Sequence, residues 1–367
     1  MKNTGVISMG IKAPIIKEGD DIVNIAVNKL LEATANLHGG YDINDKDILG
    51  ITESVVARAL GNYVTVDEVA RETEKLFGKD AAILIINPIY SRNRFSMILK
   101  GIARGAKRIL FAVPYYDEVG NPLSENPFTG VDMQEYYSNI CKEENCECEF
   151  CVNPGLMDYT VFSKIKNHLF CGLHGYNDWK SGMKGKETNA HTLADYFPEK
   201  CVYGLLGSNK ASEEKLKLFP QKDAATDICY KIKEQIKKYT GKDIYVCVYG
   251  DGAFKDPVCG IWEFADPVTM PAFTDADVFL SSPFELKLKA FADDKFAGLH
   301  GKDLDEAMKN EIRKKLTAAA DPMTRQGTTP RIYRDLIASL MDLTSGSGDK
   351  GTPFVFIQGY FNNYSTE

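Results

Sequence analysis

Asp251, in VYGDGAFKDP, falls just beyond the end of an apolar run, Ile244 to Tyr249. A carboxylate flanked by Gly250 and Gly252 can approach a hard cation closely, and Mg2+ or Mn2+ needs few protein carboxylates when phosphate oxygens supply the rest. Asp117, Glu118 and Asn121 in YYDEVGNPL, and Asp132 in TGVD, hold comparable strand-end or turn positions and could complete an oxygen-rich site. The alternative for each is a turn aspartate that bonds its own backbone. Further on, Gly346 to Gly351 reads GSGDKG, which fits GxGxxG letter for letter. It follows a helix-like segment and opens a strand-like one, the reverse of the dinucleotide-binding order, and it lacks the GK[ST] ending of a P-loop. What remains is a glycine loop whose N–H groups can cradle an anion, with Lys350 adding charge, or else a surface connection.

Other groups carry weaker signals. Ser91-Arg92-Asn93-Arg94 sits at a strand-to-helix entry, where arginines can hold carboxylate or phosphate. Cys141, Cys146, Cys148 and Cys151 fall within CKEENCECEFC and invite a zinc reading, although no second CxxC or paired histidine completes a finger. CECEFCV also alternates as a half-buried strand would. His174, in CGLHGYNDWK, has a loop-like setting and no adjacent thiol.

The elements that must position these groups follow from periodicity. Asp20 and Asp21 cap a helix that places Ile22, Ile25, Ala26 and Leu30 on one stripe and runs to Gly39 and Gly40. DILGIT, Asp47 to Thr52, is a strand leading straight into the helix-like ESVVARAL, so a strand-to-helix turn falls at Thr52 to Ser54. A helix at Val66 to Phe77, strand AAILII, a helix around Phe95 to Arg104 and a strand at Arg108 to Val113 follow. Later come an amphipathic helix beginning near Asp223, strand IYVCVYG, helices near Asp303 to Ala319 and Ile332 to Leu343, and the strand PFVFIQG. The alternation gives an α+β fold of mixed β-sheets covered by helices. Residues 115–219 show weaker periodicity and are expected as an inserted or substrate region, between an N-terminal part at 1–114 and a C-terminal part at 220–367.

Composition narrows the class of function. The 367 residues are 44% hydrophobic and 26% charged, which suits a folded globular protein and argues against disorder. Forty-four Lys and Arg against fifty-one Asp and Glu leave a net charge of −7, which repels a polyanion, so no nucleic-acid partner is expected. No apolar run approaches the ~18 residues of a membrane span, and no secretory signal opens the chain. Nine cysteines without such a signal suit reduced thiols, and a cytoplasmic location is the expectation.

Three blocks resemble the GTP-dependent ligases that add L-glutamate to a precursor of coenzyme F420. GIKAPIIKEGDDIV, Gly10 to Val23, is similar to their opening G-I-P-x-I-x-x-G-D-D segment. DILGITESVVARALGNYV resembles D-V-L-V-V-T-S-K-I-V-S-K-A-E-G. TGKDIYVCVYGDGAF and SGSGDKGTPFVFIQG resemble T-G-x-D-V-A-V-V-I-S-D-T-F-G and A-G-Q-A-D-E-G-I-P-V-V-L-I-R-G.

Carried over position by position, the resemblance implies nucleotide contacts at Ile11, Lys12, Ala13 and Pro14, at Glu53 and Ser54, at Arg58 where the family has Lys, and at Ser345, Gly346, Ser347, Gly348, Asp349, Lys350, Gly351 and Thr352. It implies Asp251 as a metal ligand, with Gly252 in place of the second and Ser347 in place of a ligating Gln. A further family Asp maps to Asp132 by its GVD letters or to Asp117 by distance from the preceding strand. The activity implied is formation of a γ-glutamyl amide: GTP phosphorylates an acceptor carboxylate, F420-0 or a related molecule, and the glutamate amine attacks the acyl phosphate. Asp251 and Arg58 would be the catalytic groups, with Mg2+ or Mn2+, and K+, as cofactors, in a homodimer. The alternatives are an amino-acid ligase with a non-F420 acceptor, and a non-catalytic nucleotide-binding protein of the same fold.

Overall fold

The structure is a computed structural model that describes residues 5–365 apart from 93, 118–119, 128, 154–164, 172–187, 251–253, 256–261, 264–269, 284–285, 318–331 and 347. The described strands are β1 (Ile7–Ile11), β2 (Ile48–Thr52), β3 (Tyr63–Thr65), β4 (Ala81–Ile86), β5 (Ala106–Val113), β6 (Glu147–Val152), β7 (Asn167–Phe170), β8 (Asn189–Thr192), β9 (Asn209–Ser212), β10 (Lys215–Lys217), β11 (Tyr245–Tyr249), β12 (Phe254–Lys255), β13 (Trp262–Glu263), β14 (Ala272–Phe273) and β15 (Phe354–Gln358). They build a mixed sheet in the order β1-β15-β2-β11-β14, a parallel sheet in the order β6-β5-β4-β7-β8, a small antiparallel sheet β3-β10-β9 and the two-stranded antiparallel ribbon β12-β13. The expected α+β architecture of mixed sheets under helices is what forms.

Period-two alternation decides how the mixed sheet is covered. Leu49, Ile51, Val246, Val248, Phe354 and Phe356 face helix α1 (Ile22–Thr34) and the Lys222–Thr240 helix. Ile48, Cys247, Tyr249, Val355 and Ile357 face the Tyr333–Ser345 helix. Gly50 lies under Met341 of that helix, and a Cβ there would run into the thioether, so a glycine is what lets helix and sheet approach. Asp21 caps α1 through the amide of Asn24. The helix stops at Thr34, short of the glycines, because Ala35 turns out to bridge Tyr41.

On the parallel sheet, helices α3 (Val66–Phe77), α4 (Phe95–Gly105) and α5 (Met133–Glu143) cover the face carrying Ile83, Ile85, Ile109 and Phe111. Leu84, Ile86, Leu110 and Ala112 form a second cluster on the opposite face. Residues 115–219, weakly periodic in sequence, supply α5 and strands β6 to β10, and the parallel sheet joins strands from both sides of residue 114. Among the described residues, no helix is long and apolar enough to cross a membrane.

Candidate functional site

Register in the mixed sheet gathers four distant segments at one edge. β2 and β11 run parallel with Thr52 opposite Tyr249, so both end there. β15 is antiparallel to β2, with Phe354 opposite Ile51, so the loop before it starts at that edge. β1 is antiparallel to β15 with Ile11 opposite Phe354, so the chain after Ile11 leaves from the same place. Two backbone bonds tie the segments together: Ala13 N–H donates to Gly351 O at 3.0 Å, and Thr52 N–H to Pro353 O at 2.9 Å.

Between them lies a hollow of about 370 Å³, lined by Ala13, Pro14, Ser54, Arg58, Gly346 and Thr352 among others. A larger hollow of about 780 Å³ adjoins it and shares Thr52, Ser54, Arg58, Asp342 and Gly348. Both volumes fall in the usual range for small-molecule sites. The far wall of the larger hollow is the β9–β10 hairpin, carrying Lys210, Lys215 and Lys217.

The helix α2 (Glu53–Ala59) starts directly on the last residue of β2. Its first residue, Glu53, is buried, and Lys217 Nζ donates to both of its carboxylate oxygens at 2.6 Å. Ser54 lines both hollows, and Arg58, one turn on, is exposed between them with no ion pair among the described residues. Gly250 packs on Glu53, and a Cβ there would overlap Glu53 Cγ.

In the glycine loop, Gly346 closes the Tyr333–Ser345 helix at φ +65°, and Lys350 lies across it, its Nζ 2.7 Å from where a Cβ would stand. Thr352 Oγ1 donates to Ser345 O at 2.8 Å, and Ser345 Oγ to Asp342 O at 3.0 Å. Gly348, Asp349 and Lys350 form a 3-10 turn, of which Gly348 lines both hollows.

The sequence-derived residues thus divide. Ala13, Pro14, Ser54, Arg58, Ser345, Gly346, Gly348, Gly351 and Thr352 converge on the smaller hollow, and Glu53 on the larger. Ile11 is buried in β1 and Lys12 is exposed beside the rim; neither lines a hollow. Asp251 and Ser347 lie outside the described residues, as do Glu118, Asn93 and His174.

Asp117 accepts the amides of Tyr90 and Asn121, each at 2.7 Å, while Asp132 caps α5 through the amide of Glu135 at 2.9 Å. Both aspartates belong to the parallel-sheet half, and neither lines a hollow. Arg94 Nε donates to Asn209 Oδ1 at 3.0 Å and so ties the loop before α4 to β9.

The cysteines are split by the strand alternation: Cys148 packs with the cluster on one face of the parallel sheet and Cys151 with that on the other. A hydrogen bond between Cys141 and Cys146 pushes the Cys141 thiol up and Cys146 down. Among the described residues, no three His, Cys, Asp or Glu side chains converge as a metal site.

Sequence reading missed Asp342, Lys210, Lys215 and Lys217. The signal for the last two was Lys-Leu-Lys-Leu at Lys215 to Leu218, whose alternation marks a strand with its charges on one face.

A sequence model of the family described as F420-0:Gamma-glutamyl ligase matches residues 10–359. A protein of Methanothermobacter thermautotrophicus described as coenzyme F420:L-glutamate ligase is 31% identical over 86 residues, which is 22% of this chain and 32% of that protein, so the match spans about a third of the relative. Among solved structures, the tetrameric eIF2B-beta2-delta2 complex from C. thermophilum gives a TM-score of 0.20 at 14% identity, over 29% of this chain and 31% of that one. The eIF2B beta structure from Chaetomium thermophilum gives 0.19 at 15%, over 29% of each chain. Scores this low carry no argument.

Proposed function

The chain belongs to the F420-0:gamma-glutamyl ligase family, and from that premise we propose that it joins L-glutamate through a γ-glutamyl amide to a carboxylate acceptor, F420-0 or a related molecule, at the expense of GTP. The observation that supports this most is the meeting of residues 13–16, 52–58, 342–346 and 348–353 around one hollow. Those are the segments that carry the family-like blocks, apart from the last turns of the helix before the loop.

The chemistry needs activation, because an amide does not form from carboxylate and amine in water unaided. An acceptor carboxylate oxygen attacks the γ-phosphorus, GDP leaves, and an acyl phosphate results. The amine of glutamate then attacks the acyl carbon, the bond from that carbon to the bridging oxygen breaks, inorganic phosphate leaves with that oxygen and the bonding pair, and the amine loses a proton. Such transfer depends on positioning and charge neutralisation more than on a covalent nucleophile. In this reading Arg58, which lines both hollows, follows the phosphoryl group from one to the other, and the loop amides hold the phosphates that remain, with Lys350, which lies across Gly346 and lines neither hollow, adding positive charge.

Mg2+ or Mn2+, and K+, stay part of the proposal, with Asp251 as the metal ligand one residue past Gly250. The described carboxylates do not make that site by themselves: Glu53 is engaged by Lys217, and Asp342 is the one acidic side chain described around the smaller hollow. A homodimer in the cytoplasm completes the reading.

A non-F420 acceptor is the second reading, because the far wall of the larger hollow comes from residues 209–217, outside the family-like blocks. The test is thermal unfolding with GTP, ATP and GDP, each with and without Mg2+ or Mn2+, since a ligand bound by the folded state alone raises the melting temperature. A metal-dependent rise with GTP is expected. No rise with any nucleotide would leave a fold without this chemistry.

A further inference from the structure

In a chain of net charge −7, four cations, Arg58, Lys210, Lys215 and Lys217, line the larger hollow. Three carboxylates, Glu18, Glu53 and Asp342, line it too. Lys217 and Glu53 neutralise each other. Lys215 lies two residues along the same strand from Lys217, and period-two alternation turns both to one face while Leu216 between them is buried in the core. Lys217 is therefore the buried foot of this wall and Lys215 its exposed rim, where the ammonium stands 5.0 Å from the centre of the Tyr63 ring. Among the described residues Lys210 pairs with Glu213, whose side chain is 82% exposed, an interaction that a ligand can displace at small cost.

We propose that the larger hollow is a carboxylate-binding subsite for a second substrate, and that Lys210 and Lys215 are its specificity-determining residues. The proposal rests on the reading of the smaller hollow as the nucleotide site. The shared wall of Thr52, Ser54, Arg58, Asp342 and Gly348 then places the anion beside the phosphates, where the amide must form. Two exposed ammonium groups across the hollow from Arg58 match a molecule with negative charge at both ends. The acidic Glu18, on the same wall system, accepts an amine or rejects a bare polyanion. Both the incoming amino acid and the acceptor carry such carboxylates, and the test separates them.

Lys210→Gln/Lys215→Gln changes only exposed positions, so the variant folds, and Lys210→Arg/Lys215→Arg keeps the charge. L-Glutamate binding is measured by calorimetry without nucleotide, GTP binding in a separate titration, and KM for L-glutamate and for F420-0 in the steady state. A loss of tenfold or more for L-glutamate in the Gln pair, restored by the Arg pair and with GTP affinity within twofold of the parent, supports the amino acid as occupant. The same loss confined to the KM of F420-0 supports the acceptor. Unchanged values for both overturn the proposal. GTP failing to bind the parent protein would sink the nucleotide reading instead, while the glutamate titration would still report on this hollow.

Discussion

Lys217 reaches across 164 positions of sequence to hold Glu53 by both carboxylate oxygens, each at 2.6 Å, with the two side chains 5% and 4% exposed. The pair joins the small antiparallel sheet to the start of α2, and so fixes two walls of the larger hollow to each other. Removing Lys217 takes the cation from both oxygens of a buried carboxylate, and breaking a buried pair in this way costs about 3–5 kcal/mol, whereas replacing both partners by apolar groups costs far less. Lys217→Met is therefore expected to lower the urea midpoint sharply, and Lys217→Met/Glu53→Leu to recover most of the loss. Equal midpoints for the single variant and the parent would show that the pair contributes nothing to the fold.

Arg58 is expected to matter for binding and hardly at all for stability, because its guanidinium is exposed and engages no described carboxylate. Losing a hydrogen bond to a charged group costs about 1.5–3 kcal/mol, or roughly ten- to a hundredfold in affinity. Arg58→Ala should weaken GTP by that amount with a melting temperature close to the parent's. Arg58→Lys restores the residue type the family carries there and should keep most of the affinity. Calorimetric titration of the two variants decides it, and tight GTP binding by Arg58→Ala would remove Arg58 from the site.

What was legible in the sequence follows the range of the interactions. Val66 to Phe77 was readable to the residue because Thr65 and Glu68 close a capping box within four positions. The strand-to-helix turn at Thr52 and the glycine loop were readable because each borders a strongly periodic element. α1 was overrun because its end is set by the bridge from Ala35 to Tyr41 rather than by the nearby glycines. The pairing of Lys217 with Glu53 depends on β10 meeting β3 in one register, which no local pattern of residues specifies. The same holds for the parallel sheet, whose strand order is set by crossovers through segments of weak periodicity.

Gly346 and Gly351 both sit at positive φ, +65° and +67°, yet alanine should have different effects at the two. At Gly351 nothing lies within 4 Å of the added carbon, so the cost is backbone strain alone, about 1–2 kcal/mol. At Gly346, φ +65° with ψ −151° is a conformation essentially confined to glycine, so the strain is greater, and it is joined by displacement of Lys350, whose amine lies 2.7 Å from the new atom. Gly346→Ala should therefore cost more intrinsic stability than Gly351→Ala and also weaken the GTP-induced rise in melting temperature, measured from each variant's own baseline, more. Equal effects on the GTP-dependent shift in melting temperature would mean that Lys350 is not part of the phosphate cradle.

Acid stability should carry the signature of Glu68. Burial pushes its carboxyl up, but the amide and hydroxyl of Thr65 and the Lys200 ammonium outweigh that, and the carboxyl lies below the ordinary 4.5. An acid whose folded value is depressed stabilises the fold fully above its unfolded value and loses that contribution as pH falls through the folded one. Asp47 works in the opposite direction: burial, stronger than the hydrogen bonds from Asn44 and Gly359, raises it above the ordinary 3.8, so its ionisation opposes folding as pH rises through the raised value. Glu68→Gln keeps a side chain that can still accept from the Thr65 amide but removes the titration. The variant should be less stable than the parent at pH 7, and the gap should narrow as the pH falls below about 4.5, where the parent's Glu68 takes up its proton. Urea midpoints of both proteins between pH 7 and pH 3 provide the check, and a gap that stays constant over that range would mean Glu68 titrates alike in the folded and unfolded chains.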